Sequence, residues 1–162
     1  MCSSDLAAGQ PAASVVAIDD AVIADALQGI FSRPTFRVYT NTDVVGCELA
    51  GVVKNVIAIA SGIATGMGFG DNTRATLVTR GLAEMTRLAM AMGGRLESLA
   101  GLAGMGDLIA TCSSTSSRNM SVGMRLGRGE ALADILASTS QVAEGVKSSR
   151  AVLDLAQRHG RS

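Results

Sequence analysis

A lysine interrupts the most apolar stretch of the sequence. Lys54 lies within LAGVVKNVIAIASG, residues 49–62, and its neighbours one helical turn away are small or apolar. An ammonium group is costly to bury unless it is paired with an anion or gives up its proton. A lysine in such surroundings is suited to act as a general acid or base. Two structural roles fit the pattern equally well: a side chain that reaches solvent along its own stem, or one that pairs with a buried carboxylate.

Two acidic residues could complement this lysine or act separately from it. Asp107 stands in GMGDLIATC, residues 104–112, which is again an apolar setting where a bare charge is unfavourable. It is therefore a candidate partner for Lys54. Glu144 opens a later helical pattern, where a carboxylate favours the helix dipole, and the residues around it indicate no other role.

A polar segment in the second half of the chain could bind an anion such as phosphate. In SSTSSRN, residues 113–119, Ser116 or Ser117 can cap a helix that begins at Arg118. The free backbone N–H groups of such a helix start, together with a hydroxyl, Arg118 and Asn119, make a competent phosphate site. The same residues are also common at an ordinary loop-to-helix start, which is the alternative interpretation.

The first forty residues have the pattern of a βαβ unit. Residues 13–18 form a short apolar run of strand length, and residues 36–41 alternate and are rich in residues that favour strands. Between them, residues 19–31 repeat apolar positions at helical spacing, with Asp19 or Asp20 as the N-cap. A strand, a helix and a strand within about thirty residues are the dimensions of a βαβ unit.

The remainder of the chain is predicted to be helical. Helical patterns cover residues 43–65, 75–94, 96–112, 130–138 and 141–160, besides the helix that begins at Arg118. The composition changes near residue 42. The sequence therefore predicts a mainly α protein in two parts, a βαβ unit over residues 1–41 and an all-helical domain over residues 42–162.

The composition argues against several classes of partner. Fourteen basic residues balance fourteen acidic ones, which gives no electrostatic reason to expect nucleic acid or an anionic membrane surface. One tyrosine, three phenylalanines and no tryptophan also leave little with which to stack bases. The apolar stretch around Lys54 is a poor membrane span because a charge and several glycines interrupt it.

The cysteines and the N-terminal residues indicate a cytoplasmic protein. Cys2, Cys47 and Cys112 are widely spaced and odd in number, which argues against a disulfide framework and fits a reducing compartment. A metal site is not indicated, because the chain has a single histidine and no C-x-x-C pattern. The first ten residues, MCSSDLAAGQ, lack both the basic and the apolar region of a secretion signal.

Several motifs, taken together, resemble one enzyme family. V-K-N-V-I-A-I-A, N-x-R-A, T-R-G-L-A-E-M, G-x-G-D-L and S-R-N occur in this order, and FRVYTN precedes them while QVAEGV follows. From Ala7 to Gly160 the chain resembles the bacterial NAD(P)-dependent glycerol-3-phosphate dehydrogenases. The resemblance implies reduction of dihydroxyacetone phosphate to sn-glycerol 3-phosphate for phospholipid synthesis, with NADH or NADPH. It also implies that residues 1–41 belong to a Rossmann-type NAD(P)-binding domain and residues 42–162 form a helical substrate-binding domain.

The resemblance also implies roles for individual residues. Lys54 matches the catalytic lysine that donates a proton to the ketone and accepts one from the alcohol, and Asp107 matches a carboxylate of the substrate site. The remaining matches are to substrate contacts at Ser117, Arg118, Asn119 and, less specifically, Thr111, and to cofactor contacts at Arg118, Val142 and Glu144.

The sequence departs from the family pattern at its N-terminal end. No G-x-G-x-x-G follows a strand, and GMGFG, residues 66–70, follows a helix instead. The family's second active-site lysine and its G-P-S-F-A segment belong upstream of Ala7, and MCSSDL does not match what the family carries there. We therefore expect the chain to be the substrate-binding half of a dehydrogenase and to show no turnover on its own.

Two other interpretations remain open from the sequence. Dehydrogenases of the 3-hydroxyacid and 6-phosphogluconate types also place a lysine on the first long helix of their helical domain. Asn55 directly after Lys54, together with S-R-N, favours glycerol phosphate. A non-catalytic helical remnant or oligomerisation module is the alternative from another class. The choice between NADH and NADPH stays open, and so does a homodimer.

Overall fold

The computed structural model describes residues 2–114, 116–138 and 143–160. After a short helix α1 (Cys2–Ala7), which no pattern predicts, come β1 (Ala12–Ala17), α2 (Ala21–Phe31) and β2 (Phe36–Asn41). The two strands pair in parallel over their whole length, so α2 is the crossover of the predicted βαβ unit.

The N-terminus of α2 is fixed by Asp20, one of the two N-cap residues that the sequence indicates. The Asp20 carboxylate accepts hydrogen bonds from the backbone N–H groups of Val22 and Ile23 at 2.9 and 3.1 Å. It therefore satisfies two of the N–H groups that a helix start leaves without a helical partner.

The rest of the described chain is helical, which confirms the mainly α prediction. Its helices are α3 (Val44–Gly66), α4 (Asp71–Ala91), α5 (Leu96–Ala100), a π-helical turn (Leu102–Gly106), α6 (Asp107–Ser113), α7 (Arg118–Gly127), α8 (Leu132–Ala137) and α9 (Glu144–Arg158).

One predicted helix is interrupted in the structure. Residues 96–112 do not form a single helix, because Gly101 adopts an extended backbone with φ −88° and ψ −162° and separates α5 from the π-helical turn. Close packing explains Gly104 in that turn, since a Cβ there would lie 2.5 Å from the Cα of Leu99. The break makes Asp107 the first residue of a new helix instead of a residue in a helix interior.

Helix α3 forms the centre of the helical part. Its residues Leu49, Val53 and Ile57 are buried against α4, α5 and α6, among Met85, Leu88, Leu99 and Leu108. By length and composition α3 could also cross a membrane. In the structure it packs against α4, α6, α7 and α9, as a core helix does.

Four glycines bring α7 into backbone contact with α3. A Cβ on Gly62 would lie 2.9 Å from the Cα of Gly123, and a Cβ on Gly66 would lie 3.0 Å from the Cα of Gly127. These pairings show that the two helices run in the same direction. We call the four residues the glycine seam. The seam fixes the start of α7 beside the middle of α3, where Lys54 lies.

Asp43 joins the start of α3 to the segment that follows α4. Its carboxylate accepts hydrogen bonds from the N–H groups of Gly46 at 2.8 Å and Arg95 at 2.7 Å. Burial by itself would raise the pKa of Asp43, but these two donors, the Ser98 hydroxyl and the charge of Arg95 outweigh it, so the pKa lies below its ordinary value. The division into domains at residues 41 and 42 stays a prediction.

Candidate active site

Lys54 and Asp107 form an ion pair between α3 and α6. The Lys54 Nζ donates a hydrogen bond to the Asp107 Oδ2. The lysine side chain is 21% exposed and the aspartate side chain 41%, so the pair lies at a surface and not in the core. The sequence correctly indicates Asp107 as a partner of Lys54. It is wrong about the surroundings of Asp107, because the break before α6 leaves this carboxylate partly in solvent.

The ion pair borders a cleft of about 880 Å³ between the βαβ unit and the helical part. One wall is the N-terminal half of α3 with Cys47, Gly51 and Lys54, and another is β1. The π-helical turn and the first residues of α6, including Asp107, close one side. A proton carried by Lys54 can therefore reach a small molecule bound in this cleft.

Buried amide side chains connect α3 with the starts of α7 and α9. The Asn119 Oδ1 accepts the N–H of Gly145 at 2.9 Å, and its Nδ2 donates to the Asn55 Oδ1 at 3.0 Å. The Asn55 Nδ2 in turn donates to the Glu144 Oε2 at 3.3 Å. We call Asn55, Asn119, Glu144 and Gly145 the amide cluster. It begins one residue after Lys54, so it fixes the polar surroundings on that side of the lysine.

The sequence marks Asn55 only as the residue after Lys54 in a family motif, and it indicates nothing for Gly145. Asn55 is only 7% exposed, and its partners lie 64 and 89 residues away in the chain. The physical signal in the sequence is an amide side chain inside the apolar run of α3, because a buried amide must find hydrogen-bond partners.

Arg118 and Glu144 face each other at the open end of the amide cluster. Their closest nitrogen and oxygen atoms are 3.7 Å apart, and the side chains are 50% and 66% exposed. At this distance they attract each other without forming a direct hydrogen bond. An arginine at the first position of a helix, in contact with solvent, can turn toward an anionic ligand.

Two of the predicted substrate contacts, Ser117 and Thr111, bond to the backbone in the structure, and their contact with a substrate stays a prediction. The Ser117 Oγ accepts the N–H of Met120 at 3.3 Å and caps α7, as the sequence indicates. The Thr111 Oγ1 donates to the backbone carbonyl of Asp107 at 2.7 Å. Both residues are buried. Val142 lies outside the described residues, so its predicted contact with the cofactor stays a prediction.

The described residues do not form a site for the pyrophosphate of a dinucleotide. Such a site needs a glycine-rich turn after a strand and free N–H groups at the next helix start. In the turn between β1 and α2 the Asp20 carboxylate already takes the N–H groups of Val22 and Ile23, and its charge would repel phosphate. The glycine-rich segment at residues 66–70 links α3 to α4. Arg118 and Glu144, the two predicted cofactor contacts among the described residues, lie next to each other at the starts of α7 and α9, and their contact with a cofactor stays a prediction.

Residues 2–114, 116–138 and 143–160 indicate neither a metal-binding cluster nor a reactive thiol. No three His, Cys, Asp or Glu side chains gather there in a way that could hold a metal ion. Burial raises the pKa of the Cys112 thiol to about 11. Burial and the nearby charges of Asp43 and Glu48 raise the pKa of Cys47. Both thiols are thus protonated, and weak nucleophiles, near neutral pH.

Comparison with known proteins gives a consistent result. Residues 43–162 match the family model described as the C-terminus of NAD-dependent glycerol-3-phosphate dehydrogenase. A glycerol-3-phosphate dehydrogenase [NAD(P)+] of Sphingopyxis alaskensis is 60% identical over 156 residues, which are 96% of this chain and 47% of the relative. One of Corynebacterium jeikeium is 60% identical over 157 residues. The chain spans about half the length of the curated relatives it matches.

Solved structures agree with this match. The crystal structure of glycerol-3-phosphate dehydrogenase from Coxiella burnetii is 42% identical, with a TM-score of 0.94 over 98% of this chain and 49% of that one. The structure of the Saccharomyces cerevisiae enzyme is 26% identical, with a TM-score of 0.87 over 99% of this chain and 49% of that one.

Proposed function

The chain belongs to the NAD-dependent glycerol-3-phosphate dehydrogenase family through its C-terminal domain, and on that premise we propose that it supplies the substrate-binding half of this enzyme. The reaction is the reduction of dihydroxyacetone phosphate to sn-glycerol 3-phosphate with NADH or NADPH, for phospholipid synthesis. The observation that carries the proposal is the Lys54–Asp107 pair, which borders a cleft next to the amide cluster.

Lys54 is the proton-transfer residue in this proposal. The cofactor, when bound, supplies the hydride that the C2 carbon of the substrate receives. The Lys54 ammonium donates a proton to the C2 oxygen, so that the ketone gains one C–H bond and one O–H bond. In the reverse direction the neutral amine accepts the hydroxyl proton. Asp107 accepts a hydrogen bond from the Nζ and holds it in place, which makes it a positioning residue for this step.

The phosphate group would bind at the start of α7. Arg118 supplies a positive charge there, and the N-terminus of the helix favours an anion. Asn119 has a second N–H on its Nδ2 to offer, because its bond to Asn55 uses only one. Glu144 holds the Arg118 guanidinium near this position and, with Val142, completes the proposed cofactor contacts.

The proposal includes a small-molecule partner and a cytoplasmic enzyme. The near-zero net charge supports neither nucleic acid nor an anionic membrane as partner. A homodimer and the preference for NADH or NADPH stay predictions. The family match favours glycerol phosphate over the 3-hydroxyacid and 6-phosphogluconate types as the substrate class.

Turnover should be tested in a chimera that joins residues 8–162 to the N-terminal half of the Sphingopyxis alaskensis relative. We expect it to oxidise NADH with dihydroxyacetone phosphate, and Lys54→Met to lower kcat by about 10²- to 10⁴-fold, the usual contribution of a general acid. Lys147→Met is the matched control, since Lys147 is exposed on α9. A Lys54→Met enzyme with parental kcat would contradict the assignment.

The chain by itself tests the non-catalytic alternative. We expect it to bind sn-glycerol 3-phosphate in a calorimetric titration, to lose that binding with Arg118→Ala, and to show no NADH oxidation. A chain that folds but binds no glycerol phosphate would favour a helical module without a substrate site.

A further inference from the structure

Gly51 is an unexplained glycine in the interior of α3. Alanine is preferred over glycine inside a helix, so a glycine there needs a reason. For Gly62 and Gly66 the reason is the backbone of α7, which a Cβ would meet. For Gly51 the structure shows no such reason, because a Cβ there would have nothing within 4 Å.

The open space beside Gly51 belongs to the cleft and not to the outer surface. Gly51 is half-buried and lines the same cleft as Lys54, which follows one helical turn later, and Asp107. Gly29 in α2 gives the contrast. A Cβ on Gly29 would also have nothing within 4 Å, but this glycine lies on the exposed side of its helix.

The polar groups of the site lie on the other side of Lys54 along α3. The amide cluster begins at Asn55, and the glycine seam places the start of α7, with Arg118, level with the residues after Lys54. A substrate whose phosphate binds Arg118 and whose C2 oxygen lies at the Lys54 Nζ would therefore extend along α3. The C1 carbon, on the far side of C2 from the phosphate, would then lie toward the N-terminal end of α3, where Gly51 lines the cleft.

We propose that Gly51 is a specificity-determining residue whose missing side chain leaves room for the hydroxymethyl group at C1 of the substrate. The inference rests on the proposed function, since it takes the position of C2 from Lys54 and that of the phosphate from Arg118. A Cβ at residue 51 would project into the space that this group fills, and it would touch nothing else.

Two ligands that differ only in this group provide the test. sn-Glycerol 3-phosphate carries the C1 hydroxymethyl group, and 2-hydroxyethyl phosphate has a hydrogen in its place. Both are titrated calorimetrically into the 162-residue chain and into its Gly51→Ala and Gly29→Ala variants. We expect Gly51→Ala to weaken sn-glycerol 3-phosphate by about tenfold or more, a usual effect of one misplaced methyl group in a pocket. Binding of 2-hydroxyethyl phosphate should be unchanged.

The controls separate the possible failures. Gly29→Ala should change the binding of neither ligand, and both alanine variants should unfold at a higher temperature than the parent. Equal loss of both ligands in Gly51→Ala, no loss of either, or a lower unfolding temperature would overturn the role of Gly51. A parent chain that binds neither ligand would instead overturn the proposed function, and this inference with it.

Discussion

Along α3, the side that faces α7 is closed by backbone contact, whereas the side that faces β1 borders the cleft. The closed side contains Gly62 and Gly66, where a Cβ would meet the backbone of α7. The open side contains Gly51, where a Cβ would meet nothing. Glycine thus allows close backbone packing on one side of the helix and leaves space open on the other. The role of a glycine in this helix therefore depends on what lies opposite it.

The packing of α7 on one side of α3 also positions the polar residues near Lys54. Because α7 lies in contact with α3, Asn119 reaches Asn55 and the start of α9 is held at Gly145. These contacts place Glu144 against Asn55, the residue after Lys54, and Arg118 beside Glu144. A rigid seam therefore positions charged groups that would otherwise lie at flexible helix ends.

The largest effect on stability is expected where the closed side is forced apart. In Gly123→Ala a Cβ would lie 2.9 Å from the Cα of Gly62, so the backbones must separate. We expect the free energy of unfolding to fall by about 1–3 kcal/mol, as for other overpacked sites. Urea denaturation of the chain measures this, with Gly29→Ala as the matched control. If both variants have the same stability, the seam is looser than the structure indicates.

A smaller effect is expected from the residue that connects the two sides. Asn55→Ala removes the acceptor of the Asn119 Nδ2 and a donor to Glu144. A buried polar group that loses its partner destabilises the fold by about 1–3 kcal/mol, and we expect the lower part of this range because Glu144 is exposed. Urea denaturation gives the value.

Binding of sn-glycerol 3-phosphate to the Asn55→Ala variant shows whether Asn55 positions the substrate-binding residues or only stabilises the fold. The affinity should fall even at temperatures where the variant is fully folded, because Arg118 and Asn119 lose their fixed positions. Asn72→Ala is the control, since Asn72 is exposed on α4. Parental affinity in folded Asn55→Ala would mean that the amide cluster does not shape the substrate site.

The sequence predicts the parts of this arrangement that depend on neighbouring residues. The βαβ unit, the caps at Asp20 and Ser117 and most helix positions follow from local patterns. The pairing of Lys54 with Asp107 could be proposed because an unpaired charge is unfavourable in either segment. The break at Gly101 could not, because a single glycine inside a helical pattern does not show whether the helix stops there. Nor could the cluster around Asn55, whose partners are brought together only by the fold.

The smallest effect on stability is expected at Asp43, which caps the start of α3. The pKa of Asp43 lies below its ordinary value, because its hydrogen-bond donors and the charge of Arg95 outweigh the effect of burial. Its carboxylate therefore stabilises the fold fully above the ordinary pKa of 3.8. This contribution is lost as the pH falls from 3.8 through the lower pKa that Asp43 has in the folded protein.

Asp43→Asn removes this contribution without changing the size of the side chain. We expect the variant to unfold at a lower temperature than the parent at pH 7, and the difference to shrink below pH 3.8. Circular dichroism melting curves between pH 2 and pH 7 measure it, with Asp25→Asn as an exposed control on α2. A difference that stays constant with pH would mean that the amide loses the hydrogen bonds for geometric reasons alone. If the difference does shrink, the charge of Asp43 holds the N-terminal end of α3, and with it the wall of the cleft that contains Gly51.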